Sequence, residues 1–179
     1  MIGTRRARKT DAAAIATIEV ETWRAAYAGM LANATLVGMS AERKAHQWAG
    51  ALRHRQTGVW VWEDDGLGLQ GFGHCGRQRL RALPFEGEVT MLYVLPDAQG
   101  RGIGRRLLLT MFADLLRRGM PSALVWVLAA NPSRFFYQRL GGRLALRRPI
   151  TVDGNPVEVL GYAWADLAAT LTRTGGGRG

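Results

Sequence analysis

The run Gln99-Gly100-Arg101-Gly102-Ile103-Gly104-Arg105-Arg106 constrains what this chain can fold into more than any other segment. It follows residues 88–95, a stretch rich in β-branched and aromatic side chains closed by Pro96, which reads as a strand. It opens residues 101–118, where Ile103, Leu107, Leu108, Met111 and Leu115 recur at helical spacing. A strand is therefore expected to enter an amphipathic helix through a tight glycine turn. The first N–H groups of a helix have no intrahelical partner and need an acceptor. Glycines at 100, 102 and 104 remove side chains that would hold an anion away from the backbone, while the helix dipole and nearby arginines favour negative charge. A pyrophosphate fits that description, and a plain glycine-rich turn is the alternative that the residues leave open. Two other phosphate loops do not fit. Arg105-Arg106 supplies neither the lysine nor the hydroxyl of a Walker loop. In a dinucleotide fingerprint the third glycine falls one position later than here.

The rest of the chain alternates helical and extended patterns. Thr10 or Asp11 is placed to cap a helix reaching about Ala28, with Ile15, Ile18 and Thr22 on one face and Gly29 at its end. Ser40 starts a second helix to about Arg53, whose Ala45, Trp48, Ala49 and Leu52 share a face. Residues 59–62 and 69–75 flank Asp64-Asp65-Gly66, a hairpin-turn signal. After the glycine loop and its helix, Gly119 and Pro121 punctuate the chain, residues 123–129 read as a buried strand, and Asn131-Pro132 opens another helix. Residues 143–152 and 157–164 flank the turn Asp153-Gly154 as a second hairpin, and 174–179 form a glycine-rich tail expected to be disordered. With no repeat or linker in 179 residues, the expectation is a single α/β domain over 1–179 with a mixed sheet.

Composition narrows the function classes. One cysteine, Cys75, excludes an internal disulfide and a cysteine-rich metal site, and His46, His54 and His74 lack metal-ligand spacing, so no metal is expected. The net charge is +10, and 22 of the 24 basic residues are arginine, which suits phosphate recognition. Nucleic acid would also explain that charge. The arginines, however, are scattered from Arg5 to Arg178 without a basic stripe, so no nucleic-acid partner is expected. The apolar runs are short and broken, so a cytoplasmic protein with no membrane association is expected.

At Gln99, Gly102 and Gly104 the sequence resembles the GNAT superfamily of N-acetyltransferases, whose phosphate loop follows the pattern Q/R-x-x-G-x-G/A. The segment Met91-Leu92-Tyr93-Val94-Leu95-Pro96-Asp97 looks like the family's central strand and its exit, and residues 131–142, NPSRFFYQRLGG, look like its second CoA-binding segment. The resemblance spans residues 4–167 and leaves 168–179 as a tail. It implies an α/β fold with a mixed, mostly antiparallel central sheet flanked by helices and splayed central strands. It also implies acetyl-CoA as co-substrate, an amine acceptor and, as in many members, a homodimer. Backbone groups of Leu92, Tyr93 and Val94 would then pair with the pantetheine arm, while Gln99, Gly100, Arg101, Gly102, Ile103, Gly104 and Arg105 would hold the pyrophosphate. Asn131 would contact the arm as well as cap its helix.

An amine can attack a thioester directly, but an alkylammonium must first lose a proton. With the lysine reference near 10.4, that costs about 4–5 kcal/mol at pH 7. Glu88, at the start of the central strand, is the candidate base, with a solvent-exposed strand-end carboxylate as the alternative. Residues 123–130 contain no acid that could serve instead. Tyr137 matches the family tyrosine that gives a proton or hydrogen bond to the departing thiolate, although many members place it seven residues after the asparagine rather than six. Full transfer to a thiolate would be uphill by about 2 kcal/mol at the reference values, so hydrogen bonding is the favoured role. Trp23 and Tyr27 are candidate acceptor contacts on the first helix and just after it, with core packing as the alternative. A non-catalytic acyl-CoA-binding module remains the rival reading.

Overall fold

The structure is a computed structural model, and it describes residues 3–53, 58–80, 83–152 and 154–175. His54, Asp153 and the tail end 176–179 lie outside the described residues. Seven strands form one sheet: β1 (Gly3–Arg6), β2 (Val59–Asp64), β3 (Gly68–Arg77), β4 (Gly87–Val94), β5 (Ala123–Leu128), β6 (Arg143–Val152) and β7 (Asn155–Trp164). Among the described residues six α-helices accompany them: α1 (Ala12–Ala26), α2 (Asn33–Val37), α3 (Ala41–Ala51), α4 (Ile103–Arg117), α5 (Arg134–Arg139) and α6 (Leu167–Gly175). The strand order is β1-β2-β3-β4-β5-β7-β6. β4 and β5 run parallel, whereas β1–β2, β2–β3, β5–β7 and β6–β7 are antiparallel pairs, so the sheet is mixed and mostly antiparallel.

The chain crosses three times between two compact units, residues 1–74 with 91–110 and residues 75–90 with 111–179. The crossings fall inside β3, β4 and α4, where no linker composition marks them.

In the first unit the two faces of β2 part by strand alternation. Val59 and Val61 join Phe72 and the apolar faces of α1 and α3, contributed by Ile15, Ile18, Trp48 and Leu52. Trp62, from the opposite face, packs with Ala98, Ile103 and Leu107. Ser40 caps α3 as its sequence suggested, accepting the Arg43 N–H at 3.2 Å. Between α1 and α3, buried Glu19 accepts from Lys44 Nζ at 2.7 Å and Trp48 Nε1 at 2.8 Å, which satisfies a carboxylate that would otherwise be costly to bury. Asp11 caps less directly than expected. It makes no side-chain bond into α1 but accepts from the Arg8 N–H at 2.6 Å and from Arg5 at 2.7 and 3.0 Å. Burial pushes the Asp11 carboxyl up, yet these bonds prevail and hold it below the ordinary aspartate range.

In the second unit Gly87, Glu88 and Val89 pair with Ala123, Leu124 and Val125, and the registered parallel pairing ends there while β4 and β5 continue. β5 pairs along its whole length with β7, and β7 with β6. Cys75 is buried, with its S–H directed at the Met111 carbonyl and the Asp114 carboxylate. β6 ends the strand order and carries Arg147, Arg148 and Pro149 in exposed positions. No helix among the described residues is long and apolar enough to cross a membrane.

Three elements depart from the sequence reading. The basic segment at the start forms β1, residues 33–37 form α2, and the chain after Leu167 forms α6, so the expected tail is helical to Gly175. Asp64, read as the first residue of a turn, is the last residue of β2, in register with Gly68.

Candidate functional site

The glycine loop lies wholly in the first unit. β4 passes through a 3-10 turn, Pro96–Ala98, to Gln99, which is extended, and α4 begins at Ile103. Gly100 and Gly102 adopt φ of 75° and 78°, the left-handed region that a Cβ disfavours. A Cβ built on either would meet nothing within 4 Å, so these glycines serve the turn and leave open space before it rather than relieving an internal clash. The intrahelical ladder begins where the Arg106 N–H donates to the Gly102 carbonyl, and the N–H groups of Ile103 and Gly104 precede it. Left-handed residues next to a helix N-terminus turn successive N–H groups toward one concavity, which suits an anion.

The side chains around this loop divide its labour. Ile103 is buried against Trp62, so only its backbone is available to a ligand. Leu92 and Val94 likewise pack toward that cluster. Gly104 sits inside the first turn of α4 rather than in the loop proper. Gln99 braces the turn by donating from Nε2 to the Val94 carbonyl at 3.0 Å. Arg101 Nη2 donates to Asp64 Oδ2 at 2.9 Å, and the Arg106 guanidinium lies 5.2 Å from the centre of the Trp62 ring. Arg105 is half-buried.

Trp23 and Tyr27 also belong to the first unit, and their rings lie 4.8 Å apart at the end of α1. Trp23 Nε1 donates to the Tyr93 hydroxyl at 2.9 Å, so this aromatic pair is tied to the strand that leads into the loop. All three residues are half-buried.

The second unit holds the other candidates. Glu88 is only 1% exposed, and its carboxylate accepts from Arg79 Nη2 at 2.5 Å, from Arg79 Nε at 3.1 and 3.2 Å, and from the Arg79 N–H at 3.2 Å. The exposed strand-end alternative therefore does not describe it. The hydrogen bond to Glu88 raises the Arg79 guanidinium above its ordinary pKa. Tyr137, 7% exposed on α5, lies among the rings of Phe136, Tyr162 and Trp164 at 5.2, 6.4 and 6.3 Å. Asn131 Oδ1 accepts the Ser133 N–H at 2.8 Å, a turn just ahead of α5 rather than a bond into its first turn. Among the described residues no group of three His, Cys, Asp or Glu side chains is arranged to hold a metal ion.

Two residues that sequence reasoning missed stand out. Asp64 was legible only by extending the alternation of Trp60 and Trp62 one step further along β2. Arg79 had no signal, because its partner lies across a loop between β3 and β4.

A mixed sheet whose central strand enters a helix through an open, left-handed glycine turn frames this candidate site. The chain matches the acetyltransferase (GNAT) domain family model over residues 55–141. It is 29% identical over 172 residues to YuaI of Bacillus subtilis (strain 168), an uncharacterized N-acetyltransferase, covering 96% of this chain and 98% of that protein. Its fold is similar to that of the PaiA N-acetyltransferase of Thermoplasma acidophilum in complex with coenzyme A. That TM-score is 0.70 at 19% identity, over 89% of this chain and 98% of the other. The ribosomal-protein-alanine N-acetyltransferase of Brucella melitensis aligns with a TM-score of 0.69 at 24% identity, over 90% of this chain and 98% of that one.

Proposed function

We propose that this protein transfers an acetyl group from acetyl-CoA to a primary amine of a small molecule, peptide or protein. The observation that carries the reading is the open turn at Gly100 and Gly102, set before the N-terminus of α4. Its donors fit a pyrophosphate in charge and in space. Backbone groups of Gly100, Arg101, Gly102, Ile103 and Gly104 would hold that group, with Gln99, Arg101 and Arg105 beside them. The β4 backbone at Leu92, Tyr93 and Val94 would accompany the pantetheine arm, with Asn131 as a further contact. The Val94 carbonyl already accepts from Gln99, which leaves one of its two lone pairs for the arm.

When bound, acetyl-CoA supplies an acetyl thioester whose carbonyl carbon accepts the amine nitrogen as the carbon–sulfur bond breaks. The chain's part is to manage two protons. The ammonium must lose one before attack, and Glu88 is the assigned base. With its carboxylate already bonded to Arg79, Glu88 takes that proton once the pair rearranges or through a relaying water. The departing thiolate is stabilised by the Tyr137 hydroxyl as a hydrogen-bond donor. Trp23 and Tyr27 form the acceptor-facing wall, fixed to β4 through the Tyr93 hydroxyl. The net charge of +10 opposes polycationic acceptors, which favours amines of low additional charge.

The Glu88–Arg79 pair also favours a second reading, an acyl-CoA-binding module without turnover. Incubating the protein with acetyl-CoA and a panel of amines while following thiol release separates the two. Release above the amine-free rate supports transfer, whereas saturable CoA binding with no release supports the module. Absence of CoA binding would overturn both.

A further inference from the structure

We propose that Asp64 is a positioning residue for the phosphate loop: it pins one edge of the Arg101 guanidinium, leaving the other edge for a phosphate oxygen of the nucleotide. The inference rests on the reading of the loop as a CoA pyrophosphate site. Asp64 ends β2, and its side chain is only 10% exposed. A carboxylate so nearly buried needs a partner, and among the described residues it pairs with Arg101. Arg101 stands between the two left-handed glycines of the turn. It cannot swing away without leaving a desolvated charge behind, which distinguishes this contact from an ordinary surface pair.

The strand end that carries Asp64 is itself fixed against the loop. Two residues earlier, Trp62 packs with Ala98 on one side of the turn and with Ile103 and Leu107 on the other. β2 therefore holds both flanks of the loop by apolar packing and its centre by charge. A guanidinium carries five donors in a planar fork and can serve two anions at once. Nη2 is engaged with Asp64 Oδ2, while the Arg101 side chain as a whole is 50% exposed. Arg106, held against the Trp62 ring by a cation–π contact, has no carboxylate anchor among the described residues.

The competing effect has the opposite sign. If Asp64 merely neutralised a phosphate-binding charge, its removal would strengthen nucleotide binding. Titration of CoA and of pantetheine, which lacks the pyrophosphate, into the wild type, Asp64→Asn, Arg101→Ala and the double variant decides between them. Asp64→Asn is expected to weaken CoA binding about tenfold. Pantetheine binding should stay within about twofold, and Asp64→Asn should have no further effect in the Arg101→Ala background. Arg101→Lys, which keeps the charge but loses the fork, should weaken CoA about fivefold and keeps the test alive if Asp64→Asn does not fold. Tighter CoA binding, equal losses for CoA and pantetheine, or an undiminished effect in the Arg101→Ala background would each overturn the proposal. A wild type that binds CoA while Asp64→Asn is silent sinks this inference alone. A wild type that does not bind CoA sinks the loop reading beneath it.

Discussion

In the unit that carries the glycine loop, the candidate groups for a ligand are backbone N–H groups of the turn and of the start of α4, and the side chains around them act as braces. In the other unit the candidates are side chains, Glu88, Asn131 and Tyr137, all buried and all engaged with neighbours. Backbone donors held by a turn are in place before any ligand arrives, so their contribution costs little reorganisation. A buried carboxylate bonded to an arginine accepts a proton less readily, and needs that pair to rearrange or a water to relay the proton. On the proposed reading, recognition of the nucleotide would be built into the resting structure, whereas proton management would require local rearrangement.

The sharpest way to break this contrast is Gly102→Glu. A side chain at φ 78° costs about 1–2 kcal/mol, and a carboxylate placed in the anion's space adds repulsion. We expect CoA affinity to fall at least about 100-fold with the fold retained by circular dichroism. Unchanged affinity would show that the backbone turn is not the binding element. Next in size, Tyr137→Phe should lower turnover about 30-fold while CoA affinity holds, since one hydrogen bond to a charged group contributes about 1.5–3 kcal/mol. Equal turnover would return Tyr137 to its ring cluster as a packing residue.

Arg79→Ala tests the engaged carboxylate directly. Losing its partner should destabilise the protein by about 1–2 kcal/mol in urea titration, less than for a fully buried pair because Arg79 is itself exposed. A stability unchanged within error would mean that the pair is not holding Glu88.

A smaller effect is expected at Asp11, whose carboxyl the fold holds below the ordinary range. Its stabilising contribution should be complete above the unfolded-state value near 3.9 and disappear as pH falls through the lower folded-state value. Asp11→Asn should therefore cost about 1 kcal/mol at pH 6 and progressively less below about pH 4. A gap that persists unchanged into acid would remove the charge from the explanation. The smallest change is Trp62→Phe. Its buried indole N–H has no partner among the described residues, so removing that donor offsets much of the lost ring area. The net change should stay below about 1 kcal/mol by thermal unfolding.

What was legible in the sequence follows the same divide. The loop could be read because its chemistry is local: glycines, a preceding strand and a following amphipathic helix lie within about twenty residues. β4, α4 and the hairpin of β6 and β7 were read for the same reason, since period and punctuation are properties of a short window. β1 escaped because Gly3, Thr4, Arg5 and Arg6 have no apolar alternation and are ordered by pairing with β2. α6 escaped because Thr170, Thr172, Arg173 and Thr174 look like tail composition, although buried Leu167 anchors the helix start. The partnership of Glu88 with Arg79 depends on a loop between two strands, and nothing in the residue pattern announces it.

β6 has a consequence for how this molecule behaves in crowded solution. A strand at a sheet margin is a template on which another copy can add itself, the usual first step toward a fibrous precipitate. Pro149 interrupts the row of N–H donors there, and Arg147 and Arg148 would meet their own counterparts if two copies aligned along it. The margin is thus insulated by a missing donor and by self-repulsion. Salt shortens the reach of the second safeguard to about 3 Å at 1 M and leaves the first intact.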